Sequence, residues 1–233
     1  MSFLLAEFDY NLLILLGAGF VAGFVNVIAG GGSLITLPAL IFLGLPPAVA
    51  NGTNRLGILF QTSSAVAGFR SKGISTFPFS LYCGLSALVG SLIGAQIAVD
   101  IKGDVFNKIL AIVMIVVVVL IVFKPKKRIE TIIERTKGKH LWISVVVFFF
   151  LGIYGGFINA GIGFVLILFL SYFNHMSLVK ANATKVTIVF IYTLSALIVF
   201  IMNDKLSWIH GLFLSAGNGI VAWISSLLSV KKV

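Results

Sequence analysis

Two glycine-rich interruptions carry the polar residues whose types and spacing could do chemistry in this chain. The first, NVIAGGGS, runs from Asn26 through Gly30, Gly31 and Gly32 to Ser33; the second, NAGIGF, runs from Asn159 through Gly161 and Gly163 to Phe164. Each is followed by an Asn-x-Thr motif with a basic residue: Asn51, Thr53, Asn54 and Arg55 in one case, Asn182, Thr184 and Lys185 in the other. A glycine turn that opens a helix directs free backbone N–H groups at one place, where the helix dipole contributes about half a positive charge. Asparagine amides and threonine hydroxyls add neutral donors, and one cation per motif adds charge. That set of groups suits an oxyanion.

Each group also has a plainer reading. A single glycine serves as well to let helices pack closely; a triplet repeated in degenerate form beside asparagines favours the binding site. Asn26 and Asn159 could donate to a substrate oxygen or cap a broken backbone. Asn51, Thr53, Asn54, Asn182 and Thr184 read first as residues that open and N-cap a helix, with donors left over for a ligand. Arg55 and Lys185 either meet the substrate or mark helix ends near the lipid headgroups, because a cation inside a membrane costs at least ~2.5 kcal/mol.

The elements that must position these groups are membrane helices. Of 233 residues 59% are hydrophobic and only 10% charged, against about 25% charged in a soluble domain. The 19 residues of Val105–Phe123 alone span roughly 28 Å as a helix. Nine apolar segments are expected, near residues 11–29, 33–44, 48–70, 77–99, 105–123, 141–160, 162–173, 179–202 and 207–230. The fold class is therefore all-α: a polytopic transmembrane bundle of about seven full-length helices and two short, broken segments.

The motifs recur in order. Asn26 and Asn159 are 133 residues apart, Asn51 and Asn182 are 131 apart, and the helices before the breaks carry Gly19/Gly23 and Gly152/Gly156. Five crossings separate the repeat starts. An odd number inverts the second repeat relative to the first, as in many secondary transporters, and paired Gly-interrupted segments in such folds mark a midplane site. The expected organisation is one membrane domain: 1–123 as the first repeat with a connecting helix, 124–140 as a basic cytoplasmic loop, and 141–233 as the second repeat.

The net charge of +10 does not indicate nucleic acid, because seven of the 17 basic residues crowd into Lys124–Lys139. That is the positive-inside pattern, and it places the C-terminus inside and the N-terminus, with Glu7 and Asp9, outside. All seven acids lie at termini, loops or segment ends, which argues against a cation substrate. The lone Cys83 implies neither disulfide nor metal, and no cofactor is expected. No Gly-Lys-Ser/Thr follows the triplet, so a phosphate-cradling Walker loop is excluded. An intramembrane enzyme built on Ser33 would need a histidine within hydrogen-bond reach, and His140, His175 and His210 all fall near segment ends.

The stretch GFVAGFVNVIAGGGSLITLPALIFLGLPPAVANGTN, with GFINAGIGF and KANATK in the second half, resembles the TauE/SafE family of sulfite and organosulfonate exporters. The resemblance covers nearly the whole chain. The second half departs from the family pattern at Gly161-Ile162-Gly163, where the first half has a glycine triplet, and at Lys185, where it has Asn54. The resemblance implies export of a small anion across a prokaryotic cytoplasmic membrane, the lipid bilayer and that anion being the partners, with a homodimer the expected assembly. An anion channel on the same scaffold is the alternative.

Overall fold

The computed structural model describes residues 2–122 and 133–231, with side chains for 10–120 and 133–230. The charged core of the expected cytoplasmic loop, Lys124 to Arg128, lies outside the described residues, as does Lys232. The helices are α1 (Ser2–Ile28), α2 (Ser33–Phe42), α3 (Pro47–Ser71), α4 (Phe79–Asp100), α5 (Gly103–Val122), α6 (Gly138–Phe157), α7 (Ile162–Tyr172), α8 (Leu178–Met202) and α9 (Trp208–Lys231). Among the described residues six are long and apolar enough to cross a membrane. With 25 residues α3 matches them in length, but it buries Asn51, Asn54, Arg55, Gln61 and Thr62. Helices α2 and α7, of 10 and 11 residues, are the two short elements.

Local chemistry sets the ends of these helices. The segment expected to run to residue 160 stops at Phe157, because Asn159 and Gly161 take left-handed φ angles of 55° and 67°. In the first break, between Ile28 and Ser33, Gly30 has a φ of 84°. Asparagine and glycine are the residues that adopt this region most readily.

The N-cap reading of the Asn-x-Thr motifs is corrected. Proline at the first helical position starts α3, at Pro47, where its missing N–H is no loss. The Ser177 hydroxyl accepts from Lys180 N at 3.3 Å and caps α8. Asn51 and Asn182 therefore lie a full turn inside their helices, and their amides are available for tertiary contacts.

The packing shows the repeat as an exchange. Helix α9 packs on α1 and α3, α4 packs on α6 and α8, and α3 meets α8 between them. The fourth helix of each half is thus held by the first and third helices of the other, so the halves interlock. Small residues permit it. A Cβ on Gly19 or Gly23 would sit 2.7 or 2.9 Å from Leu214 O or Asn218 O of α9, and one on Gly152 or Gly156 would sit 2.2 Å from Ala87 O or Ser91 O of α4. Close backbone approach of this kind is how membrane helices associate. Gly156→Leu is expected to destabilise the protein by about 3 kcal/mol or more through forced separation of α4 and α6. Gly17→Leu, with nothing within 4 Å of its Cβ, should leave the melting temperature of the detergent-solubilised protein nearly unchanged.

Candidate functional site

The two glycine breaks meet backbone to backbone. A Cβ on Gly30 would lie 2.2 Å from the carbonyl carbon of Gly163, and one on Gly163 would lie 2.6 Å from Gly30 O. Ser33, the first residue of α2, brings its hydroxyl to 3.4 Å from Asn159 Nδ2, which donates to it. Neither α2 nor α7 has a side-chain cap; backbone carbonyls close their first turns instead, Gly31 O and Gly32 O accepting from Leu34 N and Ile35 N at 3.0 Å, and Gly161 O from Phe164 N at 3.1 Å. At the expected midplane site the breaks close on each other through glycine. Cavity space lies instead around residues 73–78, including about 710 Å³ lined by Phe69, Arg70, Ile74, Phe77 and Thr187.

The carbonyl ends of the broken helices are held by cations from the opposite half. Arg55, on α3, donates to Gly155 O at 2.5 Å and Gly156 O at 2.7 Å in the last turn of α6, and to Asn51 Oδ1 at 3.4 Å. The guanidinium also lies over the Phe200 ring, 5.6 Å from its centroid. Lys185, on α8, donates to Asn26 O at 2.7 Å and Val27 O at 3.3 Å at the end of α1, and to Asn182 Oδ1 at 3.0 Å. A cation at a helix C-terminus is favoured by the dipole, by up to ~2 kcal/mol in partly buried settings.

Arg55 and Lys185 are 0% and 1% exposed, so neither is a headgroup anchor at a helix end. Among the described residues the ion pair present is Lys180 with Glu134, 2.5 Å apart and a third exposed. Neither buried cation meets a carboxylate of the described residues.

The remaining expected site residues divide. Asn51 Nδ2 donates to Phe157 O at 2.7 Å, and Asn54 Oδ1 accepts from Thr36 Oγ1 of α2 at 2.6 Å, so both face the breaks. Gly32 packs on Ala22 and Asn26 of α1, Gly161 packs under Val117 of α5, and Gly31 has only side-chain neighbours. Thr53 and Thr184 point elsewhere: Thr53 Oγ1 accepts from Ser207 N at 2.9 Å, and Thr184 Oγ1 donates to Met176 Sδ at 3.5 Å. A residue two positions after an asparagine is turned about 200° around a helix, so Asn51 and Thr53 cannot face the same site.

Two participants escaped the sequence reading. Gln61 and Tyr192 hold the amides of Asn26 and Asn159, each at 2.5 Å. They are 131 residues apart, the spacing of Asn51 and Asn182, and that spacing was the available signal.

Long apolar helices interlocked around two broken ones, with two buried cations serving the broken ends, define a multi-pass membrane protein of the transport class. The chain belongs to the TauE/SafE family: the model described as "Sulfite exporter TauE/SafE" matches residues 15–232. It is 31% identical over 221 residues to a probable membrane transporter protein of Haemophilus influenzae, covering 95% of this chain and 86% of the relative. It is 30% identical over 220 residues to the probable membrane transporter protein YfcA of Escherichia coli K12, covering 94% and 81%. No solved structure matches the chain. The protein is a membrane transporter.

Proposed function

We propose that the protein is a secondary transporter that exports small oxyanions, sulfite or organosulfonates, across the cytoplasmic membrane of a prokaryote, with its N-terminus outside and C-terminus inside. One observation carries this reading. Arg55 is fully buried without a carboxylate, and its Nε has no partner among the described residues; the adjacent Asn54 Nδ2 is likewise buried and unpartnered. A buried donor left unpaired costs about 1–3 kcal/mol, and more when charged. An oxyanion supplies acceptors for both donors and a counter-charge for the guanidinium.

Lys185 plays a different part. It has three N–H donors, and these match its three protein acceptors, so it straps α8 to the end of α1 and Arg55 is the cation that meets substrate. The positive dipole ends of α2 and α7 add to the attraction. Contact between the breaks supports a carrier over an open channel, since the path is shut until the half-helices part. Purified protein in liposomes is expected to show saturable uptake of at least one of sulfite, sulfate, sulfoacetate and taurine. Uptake of a cationic solute with none of these anions moving would overturn the proposal.

A further inference from the structure

The two breaks correspond in sequence but present opposite chemistry. In the first, Asn26 Nδ2 donates to Gln61 Oε1 at 2.5 Å, and Gln61 Nε2 donates to Ala22 O at 3.4 Å. The second bond fixes the Gln61 oxygen toward Asn26, so Asn26 turns its N–H₂ into the protein. In the second, the Tyr192 hydroxyl, buried at 1% exposure, donates to Asn159 Oδ1 at 2.5 Å. The carbonyl side of that amide is occupied, and its N–H₂ faces Ser33 across the meeting point of the breaks, at 3.4 Å. Positions 61 and 192, equivalent under the 131-residue spacing, thus hold equivalent asparagines opposite ways round.

An oxyanion is recognised by donors. Of the two equivalent asparagines only Asn159 directs its amide donor toward the junction, and it does so beside the Ser33 hydroxyl at the start of α2. The Asn159–Ser33 bond, at 3.4 Å, is longer than a normal hydrogen bond and is the one an anion would replace. We infer that Tyr192 is a positioning residue for anion binding: it orients Asn159 so that Nδ2 points at the substrate, which is met at the junction of the breaks by Asn159 and not by Asn26. Gln61 holds Asn26 as a structural counterpart. This inference rests on the anion-transport reading above and specifies which of the two equivalent asparagines takes the ligand.

The test is a double-mutant cycle on initial rates of anion uptake in proteoliposomes. Tyr192→Phe removes the orienting hydroxyl and is expected to raise KM about tenfold, the equivalent of one neutral hydrogen bond, with Vmax changed far less. Asn159→Ala should raise KM by a similar factor, and Tyr192→Phe added to it should change KM no further, because the hydroxyl acts through that amide. A general packing defect would not be silenced by Asn159→Ala. An unchanged KM in Tyr192→Phe, or effects that multiply in the double variant, would overturn the inference.

If Tyr192→Phe does not fold, Tyr192→Gln places at position 192 the residue found at 61 and keeps a donor for Asn159 Oδ1. Its KM is expected within threefold of wild type, and a tenfold rise would overturn the inference. Arg55→Gln in the same assay separates the two levels. A loss there with Tyr192→Phe unaffected removes only the role of Tyr192, whereas wild-type behaviour of every variant removes the anion site itself.

Discussion

Arg55→Gln is expected to reduce anion uptake, as kcat/KM, by at least a hundredfold while the protein still reaches the membrane. Arg55 donates to two carbonyls at the end of α6 and keeps Nε in reserve. Glutamine removes the positive charge and cannot span the same acceptors. A hydrogen bond to a charged group contributes about 1.5–3 kcal/mol, so losing the one to substrate together with the charge at its binding place gives a loss of that order. Arg55→Lys should retain part of the activity, because the charge remains but the planar fork is lost. Uptake normalised to the amount of protein in the membrane fraction is the measurement. Arg55→Gln transporting within twofold of wild type would show that the guanidinium only holds α6.

The largest effect on stability is expected at Gly30. Its φ of 84° is left-handed, and a Cβ there would meet the backbone of Gly163 at 2.2 Å and of Phe164 at 2.4 Å. Backbone atoms cannot rotate aside, so α2 and α7 would have to separate. A left-handed residue with a side chain costs roughly 1–2 kcal/mol and overpacking a further ~1–3, so Gly30→Ala should lose about 2–5 kcal/mol in all. Gly31→Ala, whose nearest neighbour is a flexible leucine atom at 3.5 Å, should lose less than ~1 kcal/mol. Thermal unfolding of the purified protein in detergent reads both. A Gly30→Ala protein as stable as wild type would mean that the breaks are not in contact.

Much of the architecture is legible from the chain because membrane helices leave a strong signal. Apolar length gives the long helices, the Asn-Gly breaks give the short ones, and the spacing of repeated motifs gives the correspondence of the halves. The expected starts near 48 and 179 stand within a residue of Pro47 and Leu178, but the caps are not the motif's polar residues. Asn51 and Asn182 look like caps, yet Pro47 and Ser177 had the better chemistry for beginning a helix a few residues earlier.

The partners of the cations were hidden for a different reason. Arg55 aligns with Val186 and Lys185 with Asn54 under the 131-residue spacing, so the repeat gives no sign that both serve broken helix ends. That equivalence exists only in space, where α3 meets α6 and α8 meets α1. Gln61 and Tyr192 share a position but not a chemistry, and matching by residue type passes over such a pair. The face on which each motif residue sits was legible in principle, since a 200° turn separates Asn51 from Thr53.

Counterflow tests most directly whether this bundle binds and carries an anion. Liposomes holding purified protein and loaded with unlabelled sulfite or sulfoacetate are diluted into medium containing a trace of the labelled anion. A carrier with one anion site must exchange inner for outer substrate, so label should accumulate transiently above its equilibrium level and the overshoot should vanish in Arg55→Gln. Label that merely equilibrates without overshoot, or an overshoot undiminished by Arg55→Gln, would contradict an alternating site built on this arginine.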